Sequence, residues 1–171
     1  MSAAHLHLIL NHIPVLGTLF GVAILAYGLW RSQDAVVRIA LALFVVAGLG
    51  ATGAYFTGEG AEEAVEGLAG VTEAVIEPHE EIALYAFLLA IVLGVLSLGV
   101  LVWRRSAEVP RWVGTTTLLL ALVTAGVMGY TANLGGQIRH TELRSNASTV
   151  QHEMEAPSEE NASDDHDERE E

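Results

Sequence analysis

Four apolar stretches, residues 8–30, 36–56, 82–103 and 112–133, leave this chain few ways to fold. They hold 21–23 residues each, with Arg38 the only charged side chain inside them. That length matches the ~20 residues a helix needs to cross ~30 Å of hydrocarbon. An open strand in lipid would leave backbone N–H and C=O groups unpaired, so helices are the only economical reading. The expected fold class is all-α and integral to the membrane: a four-transmembrane-helix bundle of two antiparallel hairpins, joined within each hairpin by the short turns at 31–35 and 104–111. Residues 1–144 are expected to form this transmembrane domain. Within it, 57–77 reads as an outer loop or short surface helix, with Ala61, Val65, Leu68 and Val71 or Val75 near one face. Residues 145–171 read as a disordered acidic tail, since Ser, Asn, Asp and Glu dominate there. The first stretch is expected to be a span and not a cleaved signal, because residues 1–7 carry no positive charge and no small-residue cleavage site follows.

Arginine orients the bundle. One side carries Arg31, Arg38, Arg104, Arg105 and Arg111 against only Asp34 and Glu108; the other carries Glu59, Glu62, Glu63, Glu66, Glu73, Glu77, Glu80, Glu81, Glu142 and the tail. By the positive-inside rule both termini lie outside the cytoplasmic membrane of a prokaryote, with Trp30, Trp103 and Trp112 forming an aromatic belt at the inner interface. Two hairpins entering from one side suggest a parallel pseudo-twofold repeat, echoed by Gly53-Ala54-Tyr55 and Gly129-Tyr130. Gly17-x-x-x-Gly21 and the stripe Ala86, Ala90, Gly94, Ser97 read as seams for close helix packing. A groove below His79 with room for a flat cofactor is the alternative reading of the second stripe.

Composition narrows the chemistry. Cysteine is absent, which removes disulfides, iron–sulfur clusters and covalently attached haem. All 8 basic residues are Arg, so no Lys can form a retinal or pyridoxal Schiff base. A net charge of −13 argues against nucleic acid as a partner. No nucleophile–base pair or phosphate loop is visible, and no ionisable group lies at mid-membrane to mark a transport path.

What remains is histidine. Apart from His152 and His166 in the tail, His5, His7, His12, His79 and His140 all fall at the outer ends of the spans. His12 precedes Pro14, which either starts the regular helix or kinks it. His79 follows Pro78 at what reads as a helix start. His140 follows Gly135-Gly136, a pair expected to end the fourth helix and turn the chain back over the bundle mouth. Imidazoles converging from separate helices are what a metal or haem iron requires. Arg139 and Arg144 flank His140 and could clamp haem propionates. The carboxylates at the same mouth, Glu59 and Glu81 among them, could instead join His12, His79 and His140 around Fe, Zn, Cu or Mn.

His12-Ile13-Pro14, the interfacial His79 and Gly135-Gly136-x-Ile138-x-His140 resemble a group of small bacterial four-span membrane proteins, classed as a domain of unknown function, with H-x-P-I near the start and G-G-x-L followed by His near the end. The likeness covers most of residues 5–142. It departs at Val15, where the group has Ile, and at Thr141, where a Gly tends to follow the last His. The resemblance implies a protein similar to b-type cytochromes, with histidines as ligands. The expected function is a membrane electron-transfer protein holding haem b near its outer face. His12 and His79 are its preferred axial pair and His140 the reserve ligand. Its partners would be quinol, a periplasmic cytochrome or a larger respiratory complex in the lipid bilayer. The alternatives are a non-haem metal protein using His79, His140 and Glu81 or Glu59, and a structural accessory subunit without a cofactor.

Overall fold

The computed structural model describes residues 2–68 and 70–140. The chain is an all-α membrane bundle. The elements are α1 (Ala3–Leu10), α2 (His12–Arg31), α3 (Asp34–Phe56), α4 (Gly58–Glu62), α5 (Glu73–Trp103) and α6 (Arg111–Arg139). Four stretches are long and apolar enough to cross a membrane, with α1 and α2 together making the first, Ala3–Arg31. α2 packs on α3, α3 on α5, α5 on α6 and α6 on α2, so the spans close into a ring with the first and third on one diagonal. These helices belong to a body of residues Met1–Arg139; His140–Glu171 is a separate unit.

Lipid offers no hydrophobic gain when two apolar helices meet, so close backbone approach must supply the contact energy. The small residues do this work. A Cβ added to Gly17 would lie 3.2 Å from the Ala47 Cβ, and one on Gly21 would enter the Phe44 ring. Between α3 and α5, a Cβ on Gly48 would stand 3.2 Å from the Ala90 carbonyl oxygen and one on Gly94 3.3 Å from that of Phe44. The Ala90–Gly94 stripe is therefore covered by α3, which overturns the groove reading at those positions. Two buried clusters stack along the bundle. Leu25, Leu41, Phe44 and Leu93 fill one, with Val37, Ala40 and Ala121; Ala51, Ala86, Ala90 and Met128 form the other, toward the histidines.

The end with both hairpin turns is locked by polar contacts. Arg38 Nε donates to Asp34 Oδ2 at 2.6 Å, and its Nη2 donates to the carbonyls of Arg104 and Ala107. Asp34 Oδ1 accepts from the Val109 N–H at 2.7 Å, and Arg111 donates to Ser32 Oγ and the Leu29 carbonyl. Arginines expected to set orientation thus also saturate carbonyls that the turns leave open. Within the spans, Thr hydroxyls bond back to the carbonyl four residues earlier, as Thr52, Thr117, Thr124 and Thr131 do. Thr18 and Ser97, both fully buried, have no such bond among the described residues.

Helix ends depart from the sequence boundaries in several places. Pro14 lacks the N–H that would bond Leu10, and the assignment breaks for one residue at Asn11, whose backbone stays αR (φ −65°, ψ −23°). α5 starts at Glu73, so Pro78 sits inside the helix instead of at its first turn; the carbonyl it leaves unbonded belongs to exposed Ala74, within reach of water. The surface helix expected over 57–77 is confined to Gly58–Glu62, followed by turns. At 1.5 Å per residue, the 31 residues of α5 extend about 46 Å, well past the hydrocarbon.

If the α3–α5 seam sets stability, Gly48→Ala costs about 1–3 kcal/mol, since both atoms it would press on are backbone. Gly99→Ala, with nothing within 4 Å, is neutral or stabilising, because Ala is the better helix former. Reversible unfolding in detergent micelles separates them; equal effects would remove the seam from the account.

Candidate functional site

The last turn of a helix leaves carbonyls without partners. α3 ends at Phe56, and the Ala54 carbonyl in that last turn takes three donors: the Thr57 N–H at 3.3 Å, the Thr57 hydroxyl at 3.1 Å and His7 Nδ1 at 2.9 Å. His7 reaches it from α1, the extension that carries the first span beyond Asn11. The ring is half-buried, with its Nδ1 3.4 Å from Thr57 Oγ1 and its Cε1 3.9 Å from where a Cβ on Gly58 would stand.

His79 makes the matching contact in the second hairpin. From the second turn of α5, its Nδ1 donates to the Thr131 carbonyl on α6 at 3.0 Å. A Cβ on Gly135 would lie 3.0 Å from His79 Cε1 and 3.3 Å from Nδ1, so only glycine leaves the ring its seat. His79 is half-buried, and His7 lies near enough to act on it electrostatically. An Nδ1 that donates to a carbonyl leaves the lone pair on Nε2, the arrangement that metal-bound imidazoles show.

The structure thus accounts differently for the expected site residues. His79 is half-buried and oriented by the Thr131 carbonyl. His12 is exposed, and its Nδ1 donates at 2.7 Å to the Leu8 carbonyl of the preceding turn. Glu59 and Glu81 are exposed. The expectation that Gly135-Gly136 ends the fourth helix is overturned: α6 runs through both to Arg139, and Gly135 serves the His79 ring. His140 follows that helix and is exposed. The Arg139 side chain and Arg144, with Glu142, His152 and His166, lie outside the described residues. Among the described residues no group of three or more His, Cys, Asp or Glu side chains is gathered as a metal would need.

His7 is the residue that sequence reasoning passed over. It stands among the outer histidines without a ligand role; its spacing of seven before Pro14 was the available signal, because it leaves two more helical turns ahead of the proline.

The acidic rim has its own organisation. Glu62, at the end of α4, shares a hydrogen bond with the Glu80 carboxyl on α5. That bond, then partial burial and the charge of Glu80, push the Glu62 carboxyl above its ordinary 4.5. A cavity of about 400 Å³ beside it is lined by Glu62, Glu66, Gly67, Val71, Thr72, Glu73 and Ile76, with no histidine. Comparison with protein families, curated proteins and solved structures yields no match to this chain.

Because the raised group is an acid, the α4–α5 contact is at full strength below 4.5 and is lost as pH rises through the raised value. Hydrogen exchange over residues 58–66, corrected for intrinsic rate, should therefore speed up as pH rises from 4 toward neutrality. Glu80→Gln supplies a permanent amide donor to Glu62 and should flatten that dependence. A flat wild-type profile would show the two carboxyls do not share a proton.

Proposed function

We propose that this protein is a small membrane electron carrier that takes haem b at the histidine end of the bundle, where His79 would be one of the residues that hold it. The observation that carries the reading is the His79 ring itself: oriented by the Thr131 carbonyl, seated on Gly135, and with Nε2 making no hydrogen bond among the described residues. The donor chemistry fits haem iron, which takes neutral imidazole and asks the protein for two ligands, where a non-haem site built of His and Glu asks for three or four. Haem b, when bound, supplies one-electron chemistry. The chain's part is to fix the imidazole, to keep water from it with the apolar cluster Ala51, Ala86, Ala90 and Met128 below, and to keep Gly135 bare.

The arginine asymmetry supports a periplasmic-side location for this end, in the cytoplasmic membrane, where quinol, a soluble cytochrome or a larger respiratory complex would exchange electrons with it. The chain has no cysteine, so single introduced thiols report topology cleanly. Thr72→Cys should react with an impermeant maleimide on intact spheroplasts and Ser106→Cys only after lysis; the reverse pattern would invert the proposed orientation.

Haem-replete expression and purification in mild detergent should give a Soret band that His79→Ala abolishes and Gly135→Leu weakens severely, by filling the ring's seat. Gly136→Ala, in open space, should leave it intact. A wild-type protein without any Soret absorption under these conditions would end the haem reading.

A further inference from the structure

The two hairpins build their histidine contacts in the same way. In each, a histidine on the first helix sends its Nδ1–H across to a carbonyl of the second helix, Ala54 for His7 and Thr131 for His79. In each, the ring's Cε1 faces a glycine four residues beyond that acceptor, Gly58 or Gly135. In each, the residue three before the acceptor, Ala51 or Met128, enters the same buried cluster beneath. The contacts of the two rings thus repeat from one hairpin to the other, and both rings keep Nε2 as the nitrogen without a bond to the helices.

We propose that His7 and His79 are a bis-imidazole metal-ligand pair, so that His7, and not His12, would be the second residue to hold the haem assigned above. The inference rests on that assignment for the identity of the iron group, while the pairing of the two rings stands on the repeated geometry. The His7 ring is turned toward α3, whereas His12, at the start of α2, donates to the Leu8 carbonyl of α1 on the exposed face. The Tyr55 and Phe87 rings, stacked at 4.4 Å, join the second span to the third, and Phe87 packs against the same cluster. The two hairpins therefore meet beside that cluster.

Visible and electron paramagnetic resonance spectra of the full-length protein decide the matter. Wild type should show a low-spin ferric signal typical of two imidazoles. His7→Gln keeps a side-chain donor for the Ala54 carbonyl and so preserves the fold, but it should convert the signal to high spin, with exogenous imidazole restoring low spin. His12→Ala should leave the spectrum unchanged. A low-spin signal that survives His7→Gln, or is lost in His12→Ala, would overturn the pair. Should wild type bind no haem, copper(II) tests the pair apart from the haem reading. One stoichiometric copper with nitrogen hyperfine structure, lost in both His7→Gln and His79→Ala but kept in His12→Ala, would uphold the two-imidazole site; copper binding indifferent to His7 would sink it.

Discussion

A polar group at the end of a membrane helix must find its partner within the protein or at the narrow wet margin, and that constraint shapes both ends of this bundle. At the turn end, Arg38 and Asp34 tie α3 to the loop before α6 through two carbonyls and one N–H. At the other end histidine does the tying, from α1 to α3 and from α5 to α6. Each imidazole closes one hairpin across its open end, where no short turn does so. A group that donates through Nδ1 and keeps its other nitrogen available is thereby fixed at that end of the bundle.

Between the two ends, association depends on shape. Glycine and alanine faces on α2, α3 and α5 let backbones approach until a single added methyl would press on a carbonyl oxygen. α3 packs along both α2 and α5, and its buried face runs from Val37 to Ala54. The buried hydroxyls of Thr18 and Ser97 sit within the same close-packed interior and, unlike the other span threonines, do not bond back along their helices. Nothing in the structure explains that difference.

The spans were legible because hydrophobic length is a one-dimensional property; residues 36–56 lie inside α3 with only two further residues at its start. The ends were less so. Helical propensity does not stop where lipid does, and α5 and α6 continue into water by nine and six residues beyond the stretches read from hydropathy. The site was half legible for the same reason. His79 stood out beside Pro78 and a run of acids, whereas His7 belongs to a segment whose value depends on a helix continuing past a proline. Gly135 was visible as an unusual residue but was assigned the commoner task of ending a helix. Only the ring lying against it reveals the other use of a missing Cβ, which sequence patterns encode identically.

The layer toward the histidines is built of Ala51, Ala86, Ala90 and Met128, with Val15, Phe87 and Val127 packed against it. Each ring at that end is held by a hydrogen bond from Nδ1, and for His79 by the close fit against Gly135 as well. Its torsions are limited by the bond at Nδ1, and that bond ends on a carbonyl whose own position is set by a rigid helix. The orientation of Nε2 is therefore inherited from α3 and α6, the two helices that bear neither of these histidines. A change in how those helices sit would turn both imidazoles without touching either one.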